Sequence, residues 1–343
     1  MKSRIGMWIF VVCLFSTLVV PILFAAQNGK NHQPTFTTFD PPDSAATFPQ
    51  SINPEGVITG GYSVVSDSDN FHGFLRAPDG TITTFDVPGP VFTFPQSINP
   101  AGAITGVYSD VNDNEHGFLR APDGTITKFD APGARDTFPK SINPAGAITG
   151  LYDDASFVAH GFLRARDGTF TTFDPPGSLT TTPSGINPAG AITGSYQDAS
   201  GNSHGFLRAP GGTITTFDVP GSAFTATSGI NPAGAITGYY QNAMSFNLHG
   251  FLRTPDGTIT TFDVPGAAGT RANSINPAGE ITGAYFDASF VAHGFLRARD
   301  GTFTTFDPPG SLTTTPSGIN PAGAITGYYQ DSTRFNFHGF VRY

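Results

Sequence analysis

Seven histidines and seven aspartates recur at one fixed spacing, and an imidazole beside a carboxylate can relay a proton, help hold a metal or join two strands. His72, His116, His160, His204, His249, His293 and His338 each open a His-Gly-Phe triplet, 44 or 45 residues apart. Fourteen residues after each of the first six comes the aspartate of a Phe-Asp pair, giving His72 with Asp86, His116 with Asp130, His160 with Asp174, His204 with Asp218, His249 with Asp263 and His293 with Asp307. His338 lies too near the end of the chain for such a partner. Asp40, at the other end, is the aspartate left over.

The elements that must position these pairs are short strands. Between His72 and Asp86 stands Pro78-Asp79-Gly80, a three-residue hairpin loop whose glycine takes the left-handed conformation. That loop sets Ala77 opposite Thr81, and counting outward brings His72 opposite Asp86. Asn-Pro-Ala-Gly turns, from Asn99, Asn143, Asn187, Asn231, Asn276 and Asn320, mark a second hairpin in each repeat. Alternation such as Thr258-Ile259-Thr260-Thr261-Phe262-Asp263 has the period of two that a strand requires. Each repeat therefore holds four strands.

The ends indicate how the repeats assemble. The chain opens with a lone fourth strand, 35–40, and finishes at 338–343 with a repeat that lacks one. Pairing these two completes a seventh unit and leaves no open edge. The expected fold is all-β, a seven-bladed β-propeller of four-stranded blades over residues 35–343, its ring closed by 35–40 on 338–343. His338 would then pair with Asp40.

Composition agrees with an exported all-β chain: Gly 42, Pro 29 and Phe 32 favour strands and tight turns. Lys2 and Arg4 precede an apolar run from Ile5 to Phe24, then Ala25 and Ala26, so residues 1–26 read as an export signal or an N-terminal anchor, and 27–34 as a flexible linker. Without Lys2 and Arg4 the net charge moves from -9 to -11. The only cysteine, Cys13, also lies in that segment, so the remaining chain has neither disulfides nor thiolate metal ligands. An acidic, lysine-poor surface excludes a nucleic-acid partner. Membrane contact is expected only through the N-terminal segment, if it is uncleaved.

Other residues invite chemistry. Arg76, Arg120, Arg164, Arg208, Arg253, Arg297 and Arg342 could ring a channel and attract anions; the plainer expectation is that each pairs with a local aspartate such as Asp79, or stacks on an aromatic of the next blade. Asp110-Val111-Asn112-Asp113-Asn114-Glu115 alternates oxygen ligands as a calcium loop does, but equivalent loops lack the pattern. No cofactor and no metal site are expected. Glutamate is represented only by Glu55, Glu115 and Glu280, and residues 154–194 are repeated identically at 287–327. Such fidelity suits equivalent binding sites better than one asymmetric active site. The variable loops lie on one face and carry Phe71, Asp110, Asp113, Phe157, Phe246, Phe290, Phe335 and Phe337, joined by Phe92, Phe94, Phe138 and Phe224. Mixed aromatic and polar side chains suit a sugar ring or a peptide.

The Asn-x-x-Gly-x-Ile-x-Gly and Phe-Asp-x-Pro-Gly elements, followed by His-Gly-Phe-Leu-Arg, resemble the HAF-repeat proteins, a set of exported bacterial repeat proteins. Here glycine replaces the alanine of the name-giving triplet throughout. The resemblance spans residues 35–343 and implies export and a repetitive β fold, without catalytic residues to transfer. The His-Asp pairs resemble the buried His-Asp bond of WD-repeat propellers, which points to a structural role. The expected function is an exported, non-catalytic binding or scaffold protein, lectin-like, whose partner is a glycan or cell-surface polymer held at several weak equivalent sites. A polysaccharide or lactone lyase or hydrolase at the channel mouth, and a purely structural surface protein, are the alternatives.

Overall fold

The computed structural model describes residues 34–343 apart from 66, 90–91, 243–246 and 334–335, with backbone alone at 67–69. The expected export signal, 1–26, lies outside the described residues, as do Phe246 and Phe335. Among the described residues there is no helix.

Twenty-eight strands form seven four-stranded antiparallel units. The first unit consists of Ser44–Ile52, Ile58–Val64, Asp67–Arg76 and Ile82–Phe85. The seventh takes three strands from the C-terminus, Ser311–Ile319, Ile325–Asp331 and Phe337–Arg342, and its fourth, Phe36–Phe39, from the N-terminus. Phe36 faces Arg342 and Phe39 faces Gly339, so the expected pairing of the two ends is present.

Local chemistry explains the hairpins. In the Asn53 turn the Asn53 amide donates to the Val57 carbonyl, the Gly56 amide donates to the Asn53 carbonyl, and Gly56 adopts a φ of 83°. The Asn53 side-chain oxygen accepts from the Val57 amide at 2.8 Å. Asparagine thus caps the turn that it opens.

Packing accounts for the glycine of His-Gly-Phe. A Cβ at Gly73 would lie 2.8 Å from the ring of Phe85, directly opposite on the fourth strand. Alanine would push that ring away. The next residue, Phe74, is fully buried, as are Phe118, Phe162, Phe206, Phe251, Phe295 and Phe340, packed beside the isoleucine that opens each second strand. One fully buried Phe contributes about 2–3 kcal/mol by leaving water.

Polar groups join the units. The buried Asn53 Nδ2 donates to the carbonyl of Asn99 in the next unit, and the same bond runs from Asn99 to Asn143, to Asn187, to Asn231, to Asn276 and to Asn320. Asn320 then donates to the carbonyl of Asn53 at 3.3 Å, across a sequence separation of 267. The arginines repeat the pattern: Arg120 lies 4.9 Å over Phe85 and Arg342 4.9 Å over Phe306. Arg76 lies 5.0 Å over Phe39 of the seventh unit. Each arginine therefore stacks on the preceding unit rather than the next one. Asp79 instead caps its own turn through the Thr81 amide.

Asn187→Ala and Asn320→Ala are each expected to cost about 2 kcal/mol in denaturant unfolding, because each orphans a buried amide and a buried carbonyl. A much smaller cost at Asn320 than at Asn187 would show that the first and last units are not held together as firmly as the interior ones.

Candidate functional site

The fourth strand carries each aspartate to its histidine. Nδ1 of His72 lies 3.0 Å from Asp86, and the distances are 2.9 Å for His116 with Asp130, 2.8 Å for His160 with Asp174, 2.9 Å for His204 with Asp218, 2.9 Å for His249 with Asp263 and 2.8 Å for His293 with Asp307. His338 and Asp40 stand 2.7 Å apart. The histidines are 22–28% exposed, so these pairs sit at the surface and differ in that respect from the buried bond the sequence suggested.

Among the described residues, a second carboxylate stands on the other side of the ring in five units. Nε2 of His338 lies 3.0 Å from Asp331, and His204 lies 3.3 Å from Asp198; Asp110, Asp154 and Asp287 approach their histidines at 3.6–3.7 Å. The imidazole separates the two carboxylates, so they do not converge on a shared ion. A tyrosine packs against the ring, as Tyr108 does at 5.0 Å from His116. Burial lowers the pKa of His204 and His338, but the bonds to Asp218 and Asp198, and to Asp40 and Asp331, outweigh it and leave both raised.

Asp110 does something other than wait for a cation. Its Oδ1 accepts the amides of Asn112 and Asn114 at 2.8 and 3.0 Å, and these bonds hold its pKa well below the usual carboxylate range. Asp154, Asp198 and Asp287 make the same two bonds in their own loops. The carboxylate that looked special in one loop is a repeated turn cap. Asp113 is exposed beside it.

These loops are the same three-residue turn as Pro-Asp-Gly, and their last residue needs a positive φ. Gly201 supplies it in one unit with φ 79°, but elsewhere Phe157 and Phe290 adopt φ 63° and 60°. Their side chains are 67% and 71% exposed. Large apolar rings thus stand in water at a position that favours glycine. Phe157 has the guanidinium of Arg135 4.2 Å over its ring.

The other loop aromatics pack together. Phe71 lies 5.7 Å from Phe92 and 5.4 Å from Phe94, and Phe48 connects Phe71 to Phe337 and Tyr328. This half-buried arc spans units seven, one and two. Phe138 is half-buried and Phe224 faces a different feature, a cleft of about 410 Å³ between units four and five. Phe224 and Tyr239 form one wall, their rings 6.0 Å apart, while Thr180, Thr182, Ser195 and Gln197 supply polar groups. Phe224 stands out in the sequence but the cleft does not, because its lining comes from strands of three successive units.

A further cavity was equally hidden. The residue two before the isoleucine that ends each first strand is Gln50, Gln96, Lys140, Ser184, Ser228, Asn273 or Ser317, and all seven line one cavity of about 200 Å³. Aligning the repeats would have singled out Lys140 as the one cation among neutral polar residues.

No family model and no curated protein match the chain, so the resemblance to HAF-repeat proteins has no support from that direction. Solved structures do. Virginiamycin B lyase from Staphylococcus aureus superimposes with a TM-score of 0.62 at 14% identity, covering 91% of this chain and 100% of that one. A streptogramin B lyase gives 0.59 at 16% identity, covering 90% and 98%. The β-propeller domain of the Trilobed protease from Pyrococcus furiosus gives 0.64 at 9% identity, covering 87% and 95%. At such identities the likeness shows the fold alone. The fold is a β-propeller.

Two outcomes are expected. Phe290→Gly should raise stability by about 1 kcal/mol in denaturant unfolding, by removing a side chain from a left-handed position; unchanged or lower stability would mean the loop carries no strain. The raised histidines contribute stability that is full below their unfolded value near 6.5 and is lost as pH rises through the folded value, whereas the lowered loop aspartates lose theirs as pH falls below about 4. Thermal midpoints should therefore be higher at pH 5.5 than at pH 8, and His338→Asn should shrink the difference.

Proposed function

We propose that the chain is an exported, seven-bladed closed propeller that binds a saccharide on its variable loop face and performs no catalysis. The observation that carries the proposal is the cleft between units four and five, where the Phe224 and Tyr239 rings stand beside several hydroxyl groups and an amide. An aromatic wall fits the apolar face of a sugar, and hydroxyl and amide groups exchange hydrogen bonds with its rim. Exposed Phe157 and Phe290, held in strained backbone, add outlying contact points on the same kind of loop. Closure is supported by the Asn320 bond to Asn53, by Arg76 over Phe39 and by the pairing of 36–39 with 337–342. The His-Asp pairs then serve as blade staples. Export rests on the apolar segment 5–24 and the cysteine-free remainder.

In this reading the sites differ from the several equivalent ones that repetition suggests. The cleft belongs to units four and five, whereas the aromatic arc belongs to units seven, one and two. Binding would be concentrated in one cleft and reinforced by the exposed loop aromatics.

A glycan array probed with the purified protein, with and without a chelator, is expected to give a saturable hit that the chelator leaves unchanged and that Tyr239→Ala weakens about tenfold or more. Turnover of a bound glycan, abolished by one substitution, would favour the lyase or hydrolase alternative. A blank array would favour a purely structural surface protein.

A further inference from the structure

The acidic chain keeps one ammonium group on its axis. Lys140 is half-buried among the ends of the first strands, facing the same cavity as Gln50, Gln96 and Ser317. Its counterparts Ser228 and Asn273 each donate to a carbonyl of the neighbouring first strand, Ser228 to Ala272 and Asn273 to Pro316, both at 2.8 Å. Lys140 makes no such bond and has no ion-pair partner among the described residues. No carboxylate lines the cavity. Burial lowers the pKa of this lysine, as expected of a charge withdrawn from water without a partner.

A second cation stands at the same cavity system. Arg271, exposed on the first strand of unit six, lines a neighbouring cavity of about 230 Å³ that shares Gln50, Asn273 and Ser317 with the axial one. That neighbour also lacks a carboxylate. Its guanidinium stacks over Tyr239 at 5.0 Å, and no ion pair is formed among the described residues.

We propose that the axial cavity is a binding site for a small oxyanion, an inorganic phosphate or a compact carboxylate, with the Lys140 ammonium as its charge partner and the Gln50, Gln96 and Ser317 side chains as neutral donors. An anion there would pair a cation that otherwise stands alone in low dielectric. The cavity has room for a tetrahedral anion or a small organic acid. The negative outer surface opposes entry only weakly at physiological salt, where charges farther away than about 8 Å are largely screened. This site is separate from the saccharide cleft, and the two proposals stand independently.

The test is titration calorimetry of the full chain with sodium phosphate and, separately, with sodium citrate, each at ionic strength held constant with sodium chloride. One equivalent is expected to bind saturably, and whichever anion binds more tightly identifies the chemistry. Lys140→Gln places in unit three the residue that units one and two carry and should weaken binding tenfold or more. Lys140→Arg should restore most of it. If the glutamine variant does not fold, Lys140→Ser, the residue type of units four, five and seven, is read in its place. Glycan binding should be unaffected by these variants, which separates this proposal from the previous one. Absence of saturable binding by either anion, or equal affinity in the Lys140→Gln variant, would overturn it.

Discussion

The buried asparagine at the start of each Asn-Pro-Ala-Gly turn is the constraint on which the other contacts depend. Its oxygen caps the turn by accepting an amide four residues on, and its nitrogen reaches the equivalent residue of the next unit. One side chain therefore sets both the shape of a hairpin and the distance to its neighbour. A unit alone would bury little apolar surface, and only stacked units shelter the Phe and Ile side chains between them.

Around that spine the same residues serve twice. Phe85 closes over Gly73 within its own unit and receives Arg120 from the following one. Asp174 meets His160 through one oxygen and accepts the Thr181 hydroxyl of the next unit through the other. Both recurring residues are thereby occupied by structure. The units differ elsewhere, in the Gln-Lys-Ser-Asn series that lines one cavity and in the loops where Phe157 and Phe290 take the place of Gly201.

That division extends to the histidines. Seven imidazoles beside carboxylates look like a reactive ring, yet each is joined to its own unit, stacked on a tyrosine and set apart from the others. The cleft at Phe224 and Tyr239 carries no repeated signature, and the cavity at Lys140 is lined by one repeat position whose residue type varies. They arise where strands from different units meet.

By itself, the sequence determined the strand count, the three-residue turns, the pairing of His72 with Asp86 and the partnership of Asp40 with His338, because hairpin register follows from turn length and side-chain alternation. It showed that Gly recurs before Phe74 and its counterparts, but not that the ring of Phe85 leaves no room there for a Cβ. Tertiary structure alone decided that Arg120 stacks on the preceding unit, that Asn99 reaches Asn143, that Asp110 caps a loop, and that Lys140 faces a cavity without a counter-ion. The contacts of Arg120 and Asn99 depend on the rotation between neighbouring units, which brings residues of different repeats together and which no local period encodes, whereas the Asp110 cap depends on the conformation of its own loop.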